Sequence, residues 1–149
     1  MLLGSMLAGM AFANSPVAAV HALAYPIGEI FDVGYGLSIA LVLPYVLEFN
    51  RPAAEALYAE LSDVIQPGYR RQSDAADAAA FIAEIEAICR DCGVPGSLSA
   101  VGIGEGDLSK LAKGAMKHAE RLLVNNPREL DDDQARAIYA KALAGASRP

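Results

Sequence analysis

Few side chains in this sequence have the type and spacing to do chemistry. His21 lies in an apolar helical stretch, with Tyr25 one turn later on the same face and Tyr35 following across a glycine-flanked segment. An imidazole can ligate a metal, but a metal centre needs several converging donors, so His21 taken alone reads as a hydrogen-bonded core residue. Cys89 and Cys92 form a single CxxC, the spacing of a redox pair or of half a zinc site. There is no second CxxC, and His118 is the only later imidazole, so zinc is not expected. Both thiols fall on the side of Phe81, Ile82 and Ile85 and read as buried structural cysteines. Gly102, Gly104 and Gly106 make a GxGxG, but a dinucleotide loop follows a strand, and this one precedes only a helix start; it reads as a turn. His118, at the flank of its helix's apolar stripe, reads as half-exposed, and the acidic groups Glu84/Glu86 and Asp131/Asp132/Asp133 read as a solvated face and a helix N-terminus.

The elements that must hold these residues are helical throughout. Leu2, Leu3, Met6, Leu7, Met10 and Ala11 recur at helical spacing with no capping residue before them. Ser15 is placed to cap a helix whose first position is Pro16 and which carries Val17, Val20, His21 and Ala24 to a stop near Pro26 and Gly28. A loop is expected from Gly28 to Gly36, then an all-round apolar, buried helix from Leu37 to Phe49 with a kink at Pro44. Pro52 starts a helix with Leu57, Leu61, Val64 and Ile65 as its stripe, ended by Gln66-Pro67-Gly68. Ser73 and Asp74 open the next, bearing Ala78, Phe81, Ile82, Ile85, Ile88 and Cys89, and Gly93 and Pro95 close it. Asp107 is placed to cap a helix reaching Leu122 and Leu123 by way of Ala119, and Asp131 with Gln134 forms a capping box before Ala135, Ile138, Tyr139, Ala142 and Leu143. No stretch alternates with period two, so an all-α bundle of six to seven helices is expected, as one domain over residues 1–149.

Charge is distributed unevenly along that bundle. Twelve Lys and Arg against 18 Asp and Glu give a net charge of −6, which argues against binding a nucleic-acid backbone. The first 50 residues contain 33 apolar residues, no Lys or Arg, and only Glu29, Asp32 and Glu48 as charges. A charge-free run of this length has the reach of a membrane span, but Asn14-Ser15-Pro16 breaks it, and it lacks the basic flank of an anchor or export signal. The expectation is a cytoplasmic chain without a membrane segment, whose first third is the inside of something larger and is left exposed when the chain is alone.

Three segments together carry a resemblance: AGMAFANSPVAAVHALAYPIG, then YGLSIALVLPYVLEFN, then NNPREL with a final helix ending IYAKAL. They resemble the C-terminal helical domain of the iron-containing alcohol dehydrogenases, the group that includes lactaldehyde and maleylacetate reductases, with residues 8–50 the most specific part. The resemblance implies a dehydroquinate synthase-like C-terminal helical domain. In such enzymes an N-terminal α/β domain binds NAD(P), and the helical domain holds a divalent metal, iron or zinc, that polarises the alcohol or carbonyl oxygen during hydride transfer.

Residue by residue, the resemblance puts His21 at a metal-ligand position and Tyr25 at a position near the nicotinamide. It puts Tyr35 at a further ligand position, where GYG stands in place of PHG, with Asp32 as an alternative carboxylate. Two more ligands and the nucleotide-binding domain would lie ahead of Met1. A weakened metal site is expected, because a phenol binds well only after losing a proton with a pKa near 10. The chain is thus expected to be the metal-domain portion, or a fragment, of an NAD(P)-linked enzyme interconverting alcohols with aldehydes or ketones, inactive by itself. The competing expectation is a non-catalytic helical module pairing with a partner through its apolar first third, the partner being a separate nucleotide domain or a second copy.

Overall fold

The computed structural model describes residues 2–15, 17–117 and 119–145. The expectations for Pro16 and His118, and for the side chain of Ala119, fall outside the described residues. Among them there are seven helices and no strand: α1 (Leu2–Asn14), α2 (Ala19–Phe31), α3 (Tyr35–Ile65), α4 (Asp74–Asp91), α5 (Leu108–Met116), α6 (Ala119–Leu122) and α7 (Asp132–Ala144). Short 3-10 turns occupy 98–101, 105–107 and 123–125.

Burial explains where the helices depart from their local signals. α2 does not stop near Pro26 but runs on to Phe31, reducing the expected 28–36 loop to residues 32–34. Proline there removes one N–H and costs about 3 kcal/mol. Leu23 and Ile27, both fully buried in the core, each return roughly 1.5–3 kcal/mol. The helix is capped by Ala18, without a side-chain bond, rather than by Ser15, and it ends on Asp32 in the left-handed conformation, φ 55°.

α3 holds both helices expected between Leu37 and Ile65, run together across a kink. Its backbone leaves helical dihedrals at Ala54, just past Pro52, and not at Pro44. The first half packs Leu41, Val42 and Val46 into the main core with α2, α5 and α7. Beyond the break, Ala54 and Tyr58 face Ala78, Phe81 and Ile82 of α4 in a second core, where the Tyr58 and Phe81 rings lie 5.5 Å apart. The buried face is therefore Ala54, Tyr58 and Ser62, and not the stripe of Leu57, Leu61 and Val64, which is exposed. A large ring meeting a large ring sets the helix rotation.

Caps are partly as expected. Ser73 accepts a bond from the Ala76 amide, and Asp131 and Gln134 form the capping box of α7. Asp107 bonds back to the Gly104 amide and closes the 105–107 turn instead of capping α5. The single helix expected from Asp107 to Leu123 is divided into α5 and α6. No single helix among the described residues is long and apolar enough to cross a membrane; α1 and α2 reach that length only together, bent by 111°.

Candidate functional site

α2 and the first turn of α3 bring the three singled-out residues together. His21 and Tyr25 share a face of α2, and the three-residue turn of residues 32–34 returns the chain so that Tyr35, the first residue of α3, sits over both. The Tyr35 ring stacks on Tyr25 with centroids 5.8 Å apart and an interplanar angle of 23°, and it lies 6.3 Å from the His21 ring. Phe12 of α1 closes the other side of His21 at 6.5 Å.

α2 itself is held from three sides. Its first amide, Ala19 N–H, points to Oδ1 of Asn126 at 3.4 Å, which supplies the cap that Ala18 lacks. Asn126 is in turn paired with Asn50 of α3 through two amide bonds of 2.9 Å, and the following Arg128 bonds the Phe49 carbonyl at 2.8 Å while stacking over the Phe49 ring. Further along, the buried Tyr139 hydroxyl of α7 donates to the Leu23 carbonyl at 2.7 Å. Gly114 of α5 lies so close that a Cβ there would stand 2.8 Å from Cβ of Pro26. Sequence reasoning missed these supports. Asn50 ends one of its motifs and Asn126 is the second residue of another, but a pair 76 residues apart leaves no periodic signal.

Electrostatically the cluster is neutral. Burial lowers the His21 pKa below its ordinary 6.5. Burial, and then the Tyr25 hydroxyl with which it hydrogen-bonds, push the Tyr35 phenol above 10.0. His21 is half-buried, and its Nδ1 is enclosed with no hydrogen-bond partner among the described residues, unlike the bonded core histidine expected.

This donor set does not by itself fit a divalent metal. No three His, Cys, Asp or Glu side chains among the described residues converge on a point. A ligating imidazole has its second nitrogen fixed by a carbonyl, carboxylate or water, and His21 Nδ1 has no protein partner of that kind here. Tyr35 holds its proton more firmly than a free phenol, and Asp32 is exposed at the end of α2.

The other candidate motifs have structural places. Cys92 is exposed and Cys89 half-buried, so the thiols are not the buried pair expected; burial on α4 fades after Ile82, and Ile88 is exposed. The 102–106 glycines form turns around the buried Ile103. Asp77 went unnoticed in the sequence. It is buried at the start of α4, where its carboxylate accepts bonds from the Tyr69 hydroxyl and the Gln72 amide, each at 3.0 Å, and from Arg71. Burial pushes its pKa up, but these three donors outweigh it and hold the group below its ordinary value.

With this architecture in view, the model of the Fe-containing alcohol dehydrogenase family, C-terminal, matches residues 1–143. The chain belongs to this family. It is 38% identical to long-chain-alcohol dehydrogenase 1 of Geobacillus thermodenitrificans, over 95% of this chain and 36% of that protein. It is 31% identical to a 1,3-propanediol dehydrogenase of Klebsiella pneumoniae, over 96% and 36%. The crystal structure of a 1,3-propanediol oxidoreductase superposes with a TM-score of 0.87 at 31% identity, covering 93% of this chain and 36% of that one. The chain thus spans about a third of the length of the relatives it matches. The family is one of iron-containing, NAD(P)-dependent alcohol dehydrogenases.

Proposed function

We propose that this chain is the metal-side helical portion of an NAD(P)-linked, cytoplasmic alcohol dehydrogenase acting on alcohols and the corresponding aldehydes or ketones, and that it is inactive when alone. The match over residues 1–143 carries the reading. In it, His21, Tyr25 and Tyr35 line one wall of a cleft whose opposite wall, with the nucleotide site, belongs to a nucleotide-binding domain, and the remaining metal donors come from an earlier helix that this chain does not contain. Tyr25 lies nearest the nicotinamide, and His21 and Tyr35 occupy metal-ligand positions. When bound, the metal would polarise the reacting oxygen; the chain's own contribution is a neutral imidazole and a phenol on α2 and a second phenol at the start of α3. The test is NAD(P)-dependent oxidation of 1,3-propanediol and of a long-chain alcohol. The purified chain should give none, and co-expression with the part of a relative that this chain does not cover, nucleotide-binding domain and earlier donor helix together, should restore it. Turnover by the chain alone would overturn the reading.

The exposure of α1 also favours a second reading, a non-catalytic module that pairs through its first third. Leu2, Leu3, Met6, Leu7, Met10 and Phe12 are all more than half exposed, leaving an apolar helix uncovered. A defined homodimer in sedimentation, lost on Leu7→Ser with Met10→Ser, together with failed complementation, would select this reading over the first.

A further inference from the structure

Between the end of α2 and one face of α5 lies an open groove of about 630 Å³, walled by Pro26, Glu29 and Ile30 on one side and by Ser109, Lys110, Lys113 and Lys117 on the other. The chain has only four lysines, and three of them line this groove. Their spacing puts Lys110 and Lys113 on one face of α5 and Lys117, at its C-cap, in line with them. None of them forms an ion pair among the described residues, whose salt bridges all belong to Arg51 and Arg71. The opposite wall offers a single carboxylate, Glu29, so the groove carries an excess of two positive charges on a chain of net charge −6. Like charges one and two turns apart repel, and concentrating them here is unfavourable unless an anion joins them.

The walls also define what the anion is attached to. Pro26 and Ile30 present hydrocarbon, and the close approach of Gly114 to Pro26 gives the groove a solid floor. The volume is that of a small organic molecule rather than of a bare ion. The geometry points to a binding site for a phosphorylated organic dianion, its phosphate held by Lys110, Lys113 and Lys117 and its apolar part laid against Pro26 and Ile30. The site shares no residue with the His21 cluster and stands independently of the proposed enzymatic role.

Isothermal titration of the full chain with phenyl phosphate, inorganic phosphate and phenol, at low ionic strength, tests it. Phenyl phosphate should saturate one site, inorganic phosphate should bind about tenfold more weakly, and phenol should not bind. Lys110→Gln with Lys113→Gln should lower phenyl phosphate affinity by at least about tenfold, and added salt should weaken it in the parent chain. Glu29→Gln should strengthen binding, an effect that damage to the fold cannot mimic. Lys141→Gln, on α7, should change nothing. Phenol binding as well as phenyl phosphate, a double variant that binds like the parent, or equal loss in Lys141→Gln would each overturn the assignment. Inorganic phosphate binding as tightly as phenyl phosphate would overturn the organic part of it.

Discussion

Asn126→Ala is expected to be strongly destabilising although its side chain is only half-buried. The Asn126 amide accepts from Asn50 Nδ2 at 2.9 Å and from Ala19 N–H at 3.4 Å, and it donates to Asn50 Oδ1 at 2.9 Å and to the Arg128 carbonyl. Truncation strands the buried Asn50 carbonyl oxygen, at about 1–3 kcal/mol for an unmet polar group. It also removes the only side-chain cap on α2 among the described residues, worth about 0.5–2 kcal/mol. The sum is about 3 kcal/mol, since the capping contact is long and falls at the low end. With an unfolding entropy of about 2.1 cal/mol/K per residue, that lowers the melting temperature by roughly 10 °C. Urea melts of the parent, Asn126→Ala, Asn50→Ala and the double variant should show a coupling of more than about 1 kcal/mol between the two positions. A single variant within about 0.5 kcal/mol of the parent, or strict additivity, would refute the claim that this pair secures the helix carrying His21.

Other outcomes follow from the same contacts. Gly114→Ala should destabilise by about 1–2 kcal/mol in urea, because the 2.8 Å clash with Pro26 outweighs the gain in helix propensity; Gly9→Ala, in open space on α1, should leave the fold intact and raise helicity. The His21 imidazole should titrate by NMR below 6.5, assigned against His21→Gln. Because its folded pKa is the lower one, its contribution is present above pH 6.5 and declines as pH falls below that value, so the parent should lose stability on acidification faster than His21→Gln. Asp77→Asn should loosen the 69–72 segment, and trypsin should cut after Arg70 and Arg71 several-fold faster than in the parent.

The helices were legible where local and tertiary signals agreed. The Asp131/Gln134 box and Ser73 start their helices where the side chains say, because each cap is satisfied within four residues. The stripes of α5 and α7 point inward as read, with Leu108, Leu111 and Ala115 and with Ala135, Ile138 and Tyr139 buried. On α3 the reading failed by one position around the helix. Leu57, Leu61 and Val64 satisfy the periodic pattern as well as Ala54, Tyr58 and Ser62 do, and only the Phe81 ring on α4 decides between them.

The site divides along the same line. His21 and Tyr25 could be paired from sequence, because four residues apart in a helix means one face. Placing Tyr35 beside them required knowing that α2 passes through Pro26. A nine-residue loop from Gly28 would leave Tyr35 with no fixed relation to Tyr25. A helix running to Phe31 and a reversal in three residues force it back alongside. Leu23 and Ile27, fully buried against α5 and α7, supply the energy for that extension. The left-handed Asp32 makes the reversal tight, on a residue whose short polar side chain tolerates φ 55°. The aromatic cluster is therefore a product of the distant packing of α7 and the Asn50–Asn126 pair as much as of its own residues. A substitution at those supports disturbs His21 without touching it, whereas Tyr35, half-exposed and joined mainly through its ring, can be exchanged with little cost to the fold.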